Sequence, residues 1–259
     1  MQTFIREFFI LEGAKWPVEG YFSWQHLTFV TALMVLMVAA AVFFGLRARN
    51  KTFRQRNRAL IWAAVLIDSF ELFKIVFRCV EEGNPMEWVY NLPLFLCSIQ
   101  LITIPLAAFS KGRVKEASMD FVSIFGVLGA VLGTYFAGNN YGSYPVFTFP
   151  NVISGITHCI SGFAALYIFI SGMASMKKQD APVVCGIMGG FAIAAYIANL
   201  FTDSNYMFLS RGDGTPYDIL FNLLGGNPVL YPIAVVGLFV IYIFAFYAVY
   251  HLTKKKTPV

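Results

Sequence analysis

Long apolar runs recur along the whole chain and constrain its fold more than any other feature. A helix needs about 20 predominantly apolar residues to cross the hydrocarbon core of a bilayer. The segments that reach this length are 26–46, 59–80, 89–109, 119–137, 151–173, 183–201 and 229–250. Because backbone groups inside a bilayer must find partners within the chain, these runs predict an all-α, polytopic membrane protein with seven transmembrane helices. We expect a single integral membrane domain over residues 1–259.

The composition agrees with a membrane protein and argues against several other classes. Hydrophobic residues make up 58% of the chain and charged residues 13%, whereas soluble domains carry roughly 25% charge. The net charge of +5 lies in short clusters between apolar runs, so nucleic acid is not an expected partner. The cysteines have no zinc-like spacing, and histidines 26, 158 and 251 cannot all converge, so neither a metal nor another cofactor is expected.

The charges between the apolar runs alternate and predict an orientation. Residues 47–58, 110–118 and 174–182 and the C-terminal tail are basic, and the intervening connections are acidic or neutral. The positive-inside rule then puts the N-terminus outside and the C-terminus in the cytoplasm, with the chain passing repeatedly through the plasma (cytoplasmic) membrane. The first 25 residues are too charged for the apolar part of a signal peptide.

Two features of the span assignment stay open. A six-span alternative, in which 183–201 or 229–250 does not cross the membrane, competes with seven spans. The connection 202–228 is the longest on the predicted outer side, and its stretch 217–224 predicts a short interfacial helix or a re-entrant segment.

Ionisable residues inside apolar runs are costly and are therefore functional candidates. Asp68, Glu71, Lys74 and Arg78 fall within a roughly 120° arc of the second predicted helix. Glu71 can be neutralised by Lys74, three residues on, or by Arg78, seven residues on. The arc predicts either a structural ion pair inside the bundle or a charge-lined cavity.

Three reactive side chains are predicted at one depth. At 1.5 Å per residue, Glu71, Cys97 and His158 each lie roughly 10–13 Å below the outer interface. Such a group can perform nucleophilic catalysis, with His158 taking the thiol proton, Cys97 attacking an ester carbonyl and Glu71 orienting the imidazole. At this depth the substrate would be a membrane lipid. The structural alternative is a small apolar cysteine and a hydrogen-bonded packing histidine.

Other polar residues in or beside the spans are candidates for substrate binding. They are His26, Lys74, Arg78, Asn91, Gln100, Asn199, Asp203 and Asn205.

Short motifs carry a family resemblance. Residues 91–97, NLPLFLC, resemble the LPLHLC signature of the bacterial YwaF integral membrane family, and residues 205–209 resemble its NYMFL motif. Residues 149–158 are similar to the stretch that leads to the family's fifth-helix histidine. The resemblance runs in the same order over roughly 24–235.

The YwaF family is similar to the animal transmembrane-protein-164 family of phospholipid acyltransferases. The resemblance implies an acyl-enzyme on Cys97 with His158 as the base. One position departs from the pattern, because Phe95 stands where the family has a histidine. If that histidine assists the reaction, either this protein lacks that assistance or His26 replaces the missing side chain.

The sequence therefore leaves several functions open. The first is a lipid acyltransferase or lipid esterase, since an alcohol and water are equivalent acceptors for a thioester. The alternative is a small-solute transporter or ligand-binding membrane subunit, in which Asn199 and Asp203 extend the charged arc of the second helix. A seven-span receptor rests on topology alone. Gly126, Gly129 and Gly133 predict a close helix contact without chemistry, and Pro93 and Pro105 should distort the third span.

Overall fold

The regular structure of the protein is helical. The computed structural model describes residues 2–11 and 14–255, and no strand occurs in those ranges. The α-helices are α1 (Gln2–Phe8), α2 (Trp24–Ala48), α3 (Phe53–Glu81), α4 (Gln100–Phe109), α5 (Gly112–Tyr135), α6 (Gly138–Ser143), α7 (Phe149–Ile170), α8 (Ala181–Phe201), α9 (Tyr217–Leu223) and α10 (Leu230–Lys255). Short 3-10 helices cover Glu87–Asn91, Lys178–Asp180 and Tyr206–Phe208. The predicted all-α class is confirmed, and α9 is the short helix expected in the connection 202–228.

Five segments are long and apolar enough to cross a membrane. They are Trp24–Ala48, Gly112–Ser143, Phe149–Ile170, Lys178–Phe201 and Leu230–Lys254. The two segments that the six-span alternative questioned are both among them. Helix α3 is 29 residues long, but its charged residues keep it outside this set. The count of seven spans and the orientation of the termini therefore remain predictions.

The prediction of one continuous third helix over 89–109 is wrong. A 3-10 helix ends at Asn91, and α4 begins only at Gln100. Pro93 provides no backbone N–H and disfavours the α-region for the residue before it, and Leu92 is extended, with φ −63° and ψ 148°. Cys97 consequently lies in a turn before α4, where hydropathy had predicted a helix.

Helix α5 lies at the centre of the bundle. Its buried residues contribute to the packing against α4 and α7 and, on the other side, against α8 and α10. A Cβ added at Gly126 would come within 2.7 Å of the Ala165 Cβ and 2.8 Å of the Ser161 carbonyl oxygen on α7. The predicted close helix contact is therefore present between α5 and α7.

Two arginines cap the C-terminal end of α7 by donating hydrogen bonds to its last carbonyl groups. The Arg49 Nε donates to the Ile170 carbonyl at 2.8 Å, and an Arg56 guanidinium nitrogen donates to the Ser171 carbonyl at 3.0 Å. Unpaired carbonyls and the negative end of the helix dipole make this position favourable for cations. Arg49, directly after α2, and Arg56, in the first turn of α3, thus hold one end of the helix that carries His158.

Candidate active site

A pocket lies between α3, α7 and the turn before α4. The space between its lining atoms, including the part that opens to the surroundings, is about 340 Å³. Its lining residues are Ile67, Glu71, Lys74, Cys97, Ser98, Leu101, Ser154, Thr157 and His158. The three residues that the sequence places at one depth thus line the same pocket, and their chemical roles remain predictions. In the described ranges, no group of three or more His, Cys, Asp or Glu residues could hold a metal ion.

The imidazole of His158 is held by the backbone of its own helix. Its Nδ1 lies 2.7 Å from the carbonyl oxygen of Ser154, one turn earlier on α7. A carbonyl only accepts, so Nδ1 must carry the proton, and Nε2 is left with a free lone pair. The tautomer that results is the one in which Nε2 can act as a base.

Gly133 of α5 makes room for this imidazole. A Cβ added at Gly133 would overlap the Nε2 and Cδ2 atoms of His158. One turn earlier, a Cβ at Gly129 would lie 3.5 Å from the Cα and Cβ of Cys97. The glycine face of α5, predicted only for helix packing, therefore also lies against the side chains of His158 and Cys97.

Cys97 reaches the pocket from the turn before α4. Its side chain is half-buried, and its sulfur lies 4.0 Å from the Ser98 hydroxyl. The thiol also lies close enough to His158 for the two groups to interact electrostatically. A thiol and an imidazole therefore share one small, partly enclosed space.

Glu71 and Lys74 form an ion pair on the α3 wall of the pocket. The Lys74 Nζ lies 2.6 Å from a Glu71 carboxylate oxygen. This pair confirms that the two side chains can neutralise each other. The contact to the imidazole that the sequence assigned to Glu71 is made by the Ser154 carbonyl. Glu71 thus holds the Lys74 ammonium, which adds a cation to the pocket wall.

His26 lies away from the pocket. It is fully buried, its Nε2 lies 3.0 Å from the Thr134 carbonyl oxygen, and its Nδ1 lies 3.2 Å from the Phe22 backbone nitrogen. Both ring nitrogens are therefore engaged, and His26 ties the start of α2 to the end of α5. This arrangement gives no support to His26 as a substitute for the histidine missing at Phe95.

Arg78 joins a separate network near the end of α3. Its guanidinium donates to Glu81 at 2.8 Å and to the Tyr144 hydroxyl at 2.9 Å, and it lies 3.2 Å from Glu82. The predicted pairing with Glu71 is thus replaced by partners outside the pocket.

Two further candidates, Asn91 and Gln100, make local contacts on either side of the turn that carries Cys97. The Asn91 amide donates to the Glu87 carbonyl at 3.1 Å. Gln100 is fully buried, and its side-chain oxygen accepts a hydrogen bond from the Thr103 hydroxyl at 3.1 Å. Neither is among the residues that line the pocket.

The remaining candidates organise the connection after α8. The Asn205 amide donates to the Arg211 carbonyl and to the Asp213 carboxylate at 2.7 and 2.8 Å, and the Asp203 carbonyl accepts from Arg211 at 3.4 Å. Asn199 binds both backbone groups of Tyr206, at 2.8 and 3.1 Å. Since these residues and Arg78 lie in separate networks, the charged cavity of the transporter alternative loses most of its predicted lining.

Tyr206 is a functional candidate that the sequence reasoning missed. Its buried hydroxyl donates to the Val89 carbonyl at 2.8 Å and accepts from the Leu92 N–H at 3.2 Å. Its ring packs against Phe95 with centroids 5.0 Å apart. Tyr206 therefore supports the irregular segment that leads to Cys97. Tyr206 is the second residue of the NYMFL motif, whose first residue, Asn205, is the predicted binding candidate.

We predict that Tyr206→Phe destabilises the protein by about 1–3 kcal/mol, because two partly buried backbone groups, the Val89 carbonyl and the Leu92 N–H, lose their partner. Thermal unfolding in detergent measures the change. Tyr196→Phe is the matched control, since the Tyr196 hydroxyl makes a long, 3.4 Å contact to the Pro228 carbonyl at an exposed position. Equal melting temperatures for the two variants would contradict a supporting role for Tyr206.

Comparison with known proteins identifies the family. The TMEM164 family model matches residues 21–250, a range that contains all the pocket residues. No curated protein and no solved structure gives a significant match. With a family model covering most of its length, the chain belongs to the TMEM164 family.

Proposed function

We propose that this protein is a membrane-embedded enzyme that removes a fatty-acyl group from a phospholipid as a thioester on Cys97. The acyl group then passes to the hydroxyl of a second lipid or, in an esterase reaction, to water. One observation carries the proposal: Cys97 and His158 line the same pocket, and the Nδ1 of His158 is already bound to the Ser154 carbonyl. Membership of the TMEM164 family and the apolar helices support a site inside a membrane.

The first half of the reaction forms the thioester. The Nε2 of His158 accepts the Cys97 proton, and the thiolate attacks the ester carbonyl of the phospholipid. The new C–S bond forms a tetrahedral intermediate with a negatively charged oxygen. When the C–O bond breaks, the alkoxide of the lysophospholipid takes the proton from His158 and leaves.

The second half regenerates the thiol. The acceptor hydroxyl gives its proton to the Nε2 of His158 and attacks the thioester carbonyl. Collapse of the second tetrahedral intermediate breaks the C–S bond, and the Cys97 sulfur takes the proton back. Each cycle therefore moves one acyl group without net consumption of protons, and no cofactor is required.

Lys74 supplies positive charge for the tetrahedral intermediates. Glu71 holds its ammonium at 2.6 Å, and a fixed cation in a poorly solvated pocket stabilises a developing oxyanion. In the predicted orientation, the pocket lies in the outer half of the plasma membrane, near the level of lipid ester groups. The substrate then reaches the thiol without leaving the bilayer.

Intact mass measurement tests the proposal. The purified protein is incubated with vesicles of phosphatidylethanolamine and phosphatidylglycerol and weighed before and after neutral hydroxylamine, which cleaves thioesters. We expect a mass increase of one acyl group that hydroxylamine removes and that peptide mapping assigns to Cys97. Cys97→Ala should lack the adduct, and Cys185→Ala, on α8, should retain it.

A parallel assay covers a short-lived intermediate. Release of lysophospholipid from the same vesicles is followed over time, with Cys97→Ala as the control. An unmodified wild-type mass together with no release above the Cys97→Ala level would contradict the proposal. An adduct on another cysteine would contradict the assignment of the nucleophile.

A further inference from the structure

Three hydroxyl groups line the pocket, and Ser98 carries the one that contacts the Cys97 sulfur. The Thr157 hydroxyl donates to the Ser154 carbonyl at 3.0 Å, and the Ser154 hydroxyl accepts from the Asn140 amide at 3.4 Å. Within the part of the chain that the structure describes, the contact of the Ser98 hydroxyl is to the sulfur alone, at 4.0 Å. Its proton is therefore not committed to a protein oxygen or nitrogen.

The backbone holds Ser98 in its position beside the sulfur. The Ile99 N–H donates to the Phe95 carbonyl at 3.0 Å, and the Leu101 N–H donates to the Ser98 carbonyl at 3.0 Å. A donor is most effective in catalysis when its position is fixed before the charge develops. The turn that fixes Ser98 makes no use of its hydroxyl, so removing the hydroxyl should leave the turn intact.

The charge that develops in the proposed reaction lies within reach of this hydroxyl. When the Cys97 thiolate forms a bond to the ester carbon, the π electrons of the carbonyl move to its oxygen. That oxygen is attached to the carbon that is bonded to Sγ. Since the Ser98 Oγ lies 4.0 Å from Sγ, the oxyanion can lie about 2.7–3.1 Å from Oγ, the distance at which a donor stabilises it.

Lys74 and Ser98 act on this oxyanion in different ways. The Lys74 Nζ lies 2.6 Å from a Glu71 carboxylate oxygen, and the carboxylate offsets part of the field that the ammonium exerts on another anion. The Ser98 hydroxyl is neutral and lies next to the nucleophile. It adds a directional hydrogen bond that the paired cation does not provide.

We infer that Ser98 is a catalytic residue whose hydroxyl donates a hydrogen bond to the oxyanion of both tetrahedral intermediates. The inference rests on the proposed function, because it assigns a group to the same reaction. The proton stays on the Ser98 Oγ throughout, so the proton transfers between Cys97, His158 and the lipids are unchanged. When each intermediate collapses, the electron pair returns to the carbonyl and the hydrogen bond weakens.

Ser98→Ala tests the inference in the reaction itself. We expect thioester formation on Cys97 to slow by about 10²- to 10³-fold, the usual cost of removing one oxyanion donor. A time course of the acyl adduct in vesicles of phosphatidylethanolamine and phosphatidylglycerol measures the rate, and thermal unfolding should show a melting temperature close to that of the wild type. Ser69→Ala is the matched control, since Ser69 is exposed on α3 and is not among the pocket residues.

A pair of unreactive phospholipid analogues separates catalysis from binding. In the first, a trifluoromethyl ketone replaces the ester. The Cys97 thiolate adds to this ketone, the thiol proton passes to His158, and the resulting hemithioketal carries its oxygen where the oxyanion forms. In the second, an ether replaces the ester and offers no carbonyl. Ser98→Ala should weaken binding of the ketone by a factor similar to the loss of rate and leave binding of the ether unchanged, as measured by displacement of a fluorescent phospholipid.

The outcomes separate the inference from the proposed function. A folded Ser98→Ala variant that forms the thioester within a few-fold of the wild-type rate would overturn the role of Ser98 and leave the enzyme intact. Equal weakening of the ketone and the ether would also overturn it, because Ser98 would then shape the pocket without stabilising the oxyanion. A wild-type protein that forms neither the acyl adduct nor the hemithioketal would contradict the proposed function and the role of Ser98 together.

Discussion

Replacing His158 by asparagine is expected to slow thioester formation on Cys97 by about 10²- to 10⁴-fold, the usual contribution of a positioned general base. The Nε2 of His158 is the nitrogen left free to accept the thiol proton, since Nδ1 lies 2.7 Å from the Ser154 carbonyl. Without this base, only the small fraction of spontaneously ionised thiol can react with the ester.

Asparagine separates the two functions of the imidazole. Its amide N–H₂ can replace Nδ1 as the donor to the Ser154 carbonyl, but it offers no basic nitrogen at the position of Nε2. The variant should therefore retain a melting temperature close to that of the wild type while losing the reaction. The measurement is a time course of acyl adduct on Cys97 in vesicles of phosphatidylethanolamine and phosphatidylglycerol.

His251→Asn provides the matched control for this substitution. His251 lies near the end of α10 and outside the pocket, so the same chemical change there should leave the rate unaltered. A rate for His158→Asn within a few-fold of the wild type would exclude His158 as the base, whatever its effect on stability.

Hydropathy predicts the helices correctly where the sequence has a long apolar run that nothing in the packing interrupts. The runs that predicted α2, α5, α7, α8 and α10 are long, apolar and poor in internal charge, so tertiary context does not change their type. The prediction of a continuous helix over 89–109 is wrong because backbone geometry at Pro93 outweighs hydropathy. Hydropathy averages only side-chain polarity. It takes no account of the N–H that proline lacks, or of the Tyr206 hydroxyl that accepts a hydrogen bond from the Leu92 N–H.

Part of the pocket lining was predictable because helix rise is constant. Counting 1.5 Å per residue from the predicted span ends placed Glu71 and His158 at one depth, and both line the pocket. Cys97 lines it too, although the same count for Cys97 assumed a helix that is absent there. The partner of His158 Nδ1 was not predictable, since the acceptor is a backbone carbonyl that every residue possesses. The contacts of His26 and Arg78 depend on how distant segments pack, which a single sequence does not specify.

The glycines of α5 also show what a sequence pattern can and cannot predict. Their spacing predicted that a neighbouring helix approaches closely, and Gly126 meets Ala165 and Ser161 of α7 accordingly. Spacing alone could not indicate that the side chain opposite Gly133 is the His158 imidazole. A packing motif therefore contributes directly to the geometry of the proposed reaction.

Gly133→Ala is consequently expected to reduce thioester formation by at least about 10²-fold, the typical cost of displacing a catalytic group by 1 Å. The added methyl group would overlap the Nε2 and Cδ2 atoms of His158, so either the imidazole must rotate away from the Ser154 carbonyl or α5 and α7 must separate. Overpacking of this kind costs about 1–3 kcal/mol of stability. The adduct time course and thermal unfolding in detergent measure the two effects.

Gly190→Ala on α8 is the matched control, because an added Cβ there meets no atom within 4 Å. In a helix interior, alanine is favoured over glycine by roughly 0.5–1 kcal/mol, so this control should be neutral or slightly stabilising and fully active. The same propensity gain applies at Gly133, which makes any net loss there a measure of the clash with His158. Wild-type adduct formation in a folded Gly133→Ala variant would show that the imidazole position next to α5 is not required for the reaction.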